Sequence, residues 1–128
     1  MSKIYQPKCD NWIEHNVYMQ IIFIIRDYDR MIEEYQDLLE ESPSPPDGQP
    51  RGSGTGDPTA RKVFKAVNIS DKIKAIDKAI EYTPKEYCEP ILENIKSGQP
   101  FPDYANRKTW TKWKGRFIRI VGENLYLV

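Results

Sequence analysis

The chain has little of what most catalytic sites are built from. Its 128 residues include one histidine, His15, and two cysteines, Cys9 and Cys88. That is too few for a histidine-rich metal site or a four-cysteine zinc knot. Cysteines so far apart make no disulfide framework, which fits a reducing cytosol. Long hydrophobic runs are missing too. The most apolar stretch, Tyr18-Met19-Gln20-Ile21-Ile22-Phe23-Ile24-Ile25, falls far short of the roughly 20 residues a membrane span needs. It lies behind Asp10 and Glu14, too deep for a signal peptide. Net charge is also absent, because 19 Lys and Arg balance 19 Asp and Glu.

That neutrality hides a gradient. Residues 1–48 carry four basic and ten acidic side chains, and residues 105–128 carry six basic and one acidic. An acidic front and a basic end point to one anionic partner bound at the C-terminal side.

The pattern of the front is helical. Val17, Ile21, Ile24, Tyr28, Met31, Tyr35 and Leu38 follow the alternating four-three spacing of a heptad seam, and Tyr18, Ile22, Ile25, Ile32 and Leu39 widen it. The spacing predicts one long helix over 11–41. Its stripe serves either as a core face on its own chain or as a self-association seam through residues 17–39. Asp27, Asp29, Arg30, Glu33, Glu34, Asp37, Glu40 and Glu41 cover the other side.

From Ser42 to Asp57 the composition changes abruptly: four of the ten prolines and four of the seven glycines fall here. Missing donors and a high ordering entropy argue against any packed element, so 42–57 reads as a linker. Gly52-Ser53-Gly54-Thr55-Gly56 invites a phosphate-loop reading. Asp57-Pro58 follows it, however, where Lys-Ser/Thr would be needed, and no strand precedes it. Pro43–Pro46 has the spacing of a proline-rich docking peptide, though a plain spacer is the commoner use of such a run.

Three helices are expected beyond the linker. Asp57 as N-cap and Pro58 at the first helical position open one that runs to about Tyr82, with Val63, Ala66, Val67, Ile73, Ile76 and Ile80 inward. Thr83-Pro84-Lys85-Glu86 reads as a capping box for the next, which buries Tyr87, Ile91, Leu92 and Ile95, carries Pro90 inside, and ends at Gly98. Asn106 caps the last, from Arg107 to about Leu125, whose apolar face holds Trp110, Trp113, Phe117, Ile120, Val121 and Leu125.

This last helix concentrates the chemistry. No acidic residue occurs between Asp103 and Glu123. A helix N-terminus adds its dipole and free amides to nearby cations, which favours phosphate. The candidate DNA contacts are Asn106, Arg107, Lys108, Thr111, Lys112, Lys114, Arg116 and Arg119. The competing reading is a solvated basic face on an ordinary core helix.

The segments SPSPPDGQPRGSGTGDPTARK, Thr83-Pro84-Lys85-Glu86-Tyr87, Ser97-Gly98-Gln99-Pro100-Phe101-Pro102-Asp103 and Ala105-Asn106-Arg107-Lys108-Thr109-Trp110-Thr111-Lys112-Trp113-Lys114-Gly115-Arg116-Phe117 together resemble phage proteins of the RinA/ArpU type, small regulators of late phage transcription. The resemblance spans roughly residues 38–128. It implies a sigma-factor-like helix-turn-helix acting in a bacterial host cell, with Arg107, Lys108, Thr111 and Lys112 where the recognition helix meets DNA. The usual two-turn helix before the turn has only Pro102–Ala105 available, so the motif is either shortened or uses the Thr83–Lys96 helix as its first member.

Together these readings predict an all-α, cytoplasmic protein in three parts: an acidic helix (1–41), a linker (42–57) and a DNA-binding bundle (58–128). The expected partner is double-stranded promoter DNA, with RNA polymerase or a second copy on the acidic helix. No cofactor, metal or membrane is expected. Enzymatic activity is not expected either: Asp27 and Asp29 lie about 200° apart on a helix, and Glu33 with Asp37 has no basic or metal-binding partner nearby. His15 reads as solvated or capping, and Cys88 as a small core residue. The alternatives are a helical adaptor or inhibitor that grips a host protein through the acidic helix without touching DNA, and a packaging protein that recognises DNA ends.

Overall fold

A computed structural model of the chain describes residues 13–40 and 58–128, which form five helices and no strand: α1 His15–Arg26, α2 Tyr28–Glu40, α3 Pro58–Tyr82, α4 Lys85–Ser97 and α5 Arg107–Asn124. The expected linker 42–57, the Asp57 cap and Cys9 lie outside the described residues.

The run expected as one helix is two. At Asp27 (φ −85°, ψ 1°) the backbone tightens, and its N–H is shared between the carbonyls of Phe23 and Ile24, both at 3.2 Å. The cause is tertiary. α1 packs on α4 and α5, whereas α2 packs on α3, so the two halves of one apolar stripe must face different neighbours. Arg30 links the turn to α2 through Asp27 and Glu34, at 2.7 Å each. Arg26 Nε donates to the Ile95 carbonyl at 3.0 Å and ties the end of α1 to α4.

α5 is the central element, touching α1, α3 and α4. Ile21, Ile25, Ile76, Ile91, Trp110, Phe117, Ile118 and Val121 are fully buried in one continuous core. Each contributes about 1.5–3 kcal/mol by leaving water. The seam positions Ile21 and Met31 are thus filled by the chain's own helices, and α1 shares a core with α3–α5.

Several local expectations shift. α3 begins at Pro58 as expected, yet Val63 and Val67 are more than half exposed, and the first buried side chain among its described residues is Ile69. The capping box does not form: the buried Thr83 hydroxyl donates to the Ala79 carbonyl at 2.7 Å and finishes α3. Pro84 then takes the N-cap position of α4 without any side-chain cap. Gly98 ends α4 in the left-handed region, φ 73°, as its position implied.

No helix forms between α4 and α5. Residues 98–106 connect α4 to α5, nine residues instead of the three or four of a helix-turn-helix, and Pro102–Ala105 forms only a turn. Pro100 and Pro102 withhold the donors that a helical turn there would need. The connection is instead pinned by side chains: Asn94 Nδ2 donates to the Gln99 carbonyl at 2.8 Å, and Trp110 Nε1 to the Pro102 carbonyl at 3.0 Å.

Candidate nucleic-acid interface

α5 starts at a well-formed cap. The Asn106 side chain accepts from the Thr109 amide at 2.9 Å and from the Thr109 hydroxyl at 3.0 Å. It is therefore engaged within the helix start, and the first turn holds no acidic residue.

The buried face of α5 is turned relative to the expected one. Trp110, Phe117 and Val121 are inside, but so are Ile118 and Gly122, while Trp113, Ile120 and Leu125 are only partly covered. Gly122 explains the rotation: a Cβ there would lie 2.6 Å from Ile21 Cδ1 and 2.7 Å from Val128 Cγ2, so α1 approaches α5 where no side chain intervenes.

This rotation sorts the candidate contacts. Lys108, Lys112, Arg116 and Arg119 fall within about 80° of one another around the helix and form one stripe, the first three exposed and Arg119 half-exposed. Arg107 is exposed but lies roughly 140° round from Lys112. Thr111 shares the side of Ile118 and is half-buried. Lys114 is drawn inward, donating to Asn94 Oδ1 at 2.7 Å with its ammonium 5.9 Å from the Phe101 ring centre. Burial, with the nearby Arg26 guanidinium, holds the Lys114 ammonium below the usual lysine range.

Within the stripe, Arg119 pairs with Glu123 at 3.0 Å. Lys112 and Arg116 reach back to Trp113, 5.4 and 5.6 Å from its ring centre, and Trp113 stacks on Tyr87 at 5.7 Å. An aromatic platform therefore restrains two cations without neutralising them. Burial of Trp110 and the helical spacing of Trp113 make the tryptophans packing and positioning groups.

A second basic feature escaped the sequence reading. Lys72, Lys74 and Lys78 border an open groove of about 810 Å³ between α1, α3 and the C-terminal residues. Asp71 interrupts the charge run, and only the packing of α3 beside Tyr126 and Leu127 brings these lysines to a common depression. His15 is exposed at the start of α1, and Cys88 is a buried free thiol whose pKa burial pushes up. Among the described residues, no helix is long and apolar enough to cross a membrane. No protein-family model, curated protein or solved structure matches the chain.

Proposed function

We propose that the chain is a double-stranded DNA-binding regulator that lays α5 against the phosphate backbone, with no catalytic role. The carrying observation is the stripe itself: Lys108, Lys112 and Arg116 recur every fourth residue on the open side of a core helix and have no acidic partner within ion-pair distance among the described residues. A rise of about 1.5 Å per residue spreads them over roughly 12 Å, a rigid array suited to successive phosphates. The resemblance to RinA/ArpU-type regulators supports the same reading and makes late phage promoter DNA the first target, with RNA polymerase as a protein partner. The long α4–α5 connection favours backbone docking over deep insertion of α5 into a groove.

The test is binding of promoter duplex as a function of salt. Three neutralised phosphates give a slope of log K against log salt near −2.7, at about −0.9 each. Lys112→Glu is expected to weaken binding by about tenfold or more with helical content unchanged, because reversing one charge removes one attraction and adds one repulsion. Lys78→Glu, on the groove and away from the stripe, is the matched charge reversal. Equal losses from both, or a slope near zero, would overturn the reading.

A further inference from the structure

The groove beside α3 carries more chemistry than the fold uses. Ala75, Ile24 and Leu125 give it an apolar floor. Three cations, Lys72, Lys74 and Lys78, line it against one acid, Asp71. None of the three is in an ion pair among the described residues. Lys72 is close enough to Asp27 for their charges to interact, and the Lys78 ammonium rests 5.6 Å from the Tyr82 ring centre. Neither contact neutralises the lysine. Lys74 and Lys78 stand four residues apart on α3, a like-charge spacing that weakens a helix instead of supporting it.

Tyr126 is equally unexplained by stability. It borders the same groove at 94% exposure, with its backbone in the left-handed region at φ 59°. A ring that packs on almost nothing adds little to the core, and glycine would hold this backbone with less strain. Strained residues of this kind cluster at ligand sites. Side-chain amides complete the lining. Those of Gln20 and Asn68 make no hydrogen bond among the described residues. Asn124 uses only its Nδ2, donating to the Ile120 carbonyl at 2.8 Å, which leaves Oδ1 to accept.

We propose that this groove binds a nucleoside phosphate. The lysines meet the phosphates, the Tyr126 ring stacks on the base, and the amides donate to and accept from the base and ribose edges. A volume of about 810 Å³ falls within the roughly 300–1,000 Å³ of small-ligand sites. Charge and shape choose this ligand together. An acidic peptide would match the lysines but leave the exposed ring and the amides without a use. The site takes nothing from the α5 stripe and does not depend on the DNA reading.

Titration of the isotope-labelled full chain with ATP, without added metal, tests this by NMR. Saturable shifts are expected at the amides of Lys74, Lys78, Tyr126 and Leu127, at millimolar concentration or below. Inorganic triphosphate should bind the same groove about fivefold or more weakly, because it offers no base to stack. Tyr126→Gly should lower the ATP affinity by a similar factor and leave that for triphosphate unchanged. That change relieves backbone strain, so unfolding cannot account for the loss. Tyr126→Phe keeps the ring and should keep ATP. Lys74→Gln with Lys78→Gln should weaken both ligands by about tenfold or more, since two charge-assisted contacts are lost. Absent shifts, or shifts confined to the α5 stripe, would overturn the proposal. So would triphosphate binding as tightly as ATP, indifference to Tyr126→Gly, or displacement of ATP by an oligoglutamate peptide that binds more tightly.

Discussion

The Tyr104 hydroxyl donates to the backbone carbonyl of Glu86, the acceptor that Pro90 leaves without a helical partner. Proline has no N–H to offer the residue four positions back, so an interior proline normally costs a helix a hydrogen bond and a bend. α4 nevertheless runs through Pro90 from Lys85 to Ser97. Tyr104 supplies the missing donor from the connection to α5, and its ring rests 5.4 Å from that of Trp110. The irregular segment 98–106 is thereby built into the bundle.

Tyr104→Phe is accordingly expected to cost about 0.5–1.5 kcal/mol, the net worth of one hydrogen bond. In a Pro90→Ala background the helix regains its own donor, and the same change should cost little. Urea unfolding of the four proteins of this cycle measures the coupling. Equal losses in both backgrounds would show that Tyr104 acts through packing alone.

Two helix ends make opposite predictions. α5 closes with the Leu127 amide on the Gly122 carbonyl at 2.9 Å and the Tyr126 amide on the Glu123 carbonyl at 3.1 Å, a Schellman motif. Its left-handed position is occupied by Tyr126 at φ 59°, a conformation that strains any residue bearing a Cβ. Tyr126→Gly should raise stability by about 0.5–1 kcal/mol. At the corresponding position of α4, Gly98→Ala should lower it by about 1 kcal/mol, although nothing lies within 4 Å of the added methyl. Thermal unfolding reads both signs.

Gly122→Ala tests close packing. The new methyl meets Ile21 and Val128 at 2.6 and 2.7 Å, and overpacking of this kind costs about 1–3 kcal/mol. Ile21→Val removes the nearer atom, so the double variant should be more stable than the sum of the two single changes. Strict additivity would mean that α1 and α5 do not meet there.

Alkaline pH should expose Tyr28. Burial, then donation to Asp77, push its hydroxyl well above the tyrosine value of 10.0. A group whose pKa is raised on folding contributes stability that is complete below the unfolded pKa and is lost as pH rises past it. Wild type should therefore lose stability above about pH 10 faster than Tyr28→Phe. Parallel pH profiles of the two proteins would contradict this assignment.

Lys114→Gln separates structure from binding. The change should lower stability measurably, because it alters a group packed against Phe101 and bonded to Asn94. It should leave the salt slope for DNA unchanged. A shallower slope would return Lys114 to the binding surface.

The sequence by itself determined the all-helical class and most helix ends, because those depend on local chemistry. Pro58 opens a helix since its missing donor is not needed there, Asn106 caps since its side chain reaches the Thr109 amide, and Gly98 stops a helix since it tolerates a positive φ. Apolar spacing likewise marked Ile21, Ile76, Ile91, Trp110 and Phe117 as inward. Periodicity says which residues of a helix share a face; it does not say which neighbour covers that face. Only the tertiary structure divided one stripe between two helices at Asp27, turned α5 until Gly122 met Ile21, turned the Thr83 hydroxyl back onto α3 and drew Lys114 inside. It also left Val63, Phe64 and Val67 more than half exposed although their spacing is that of an inward face, because periodicity alone does not bring a neighbour to cover them.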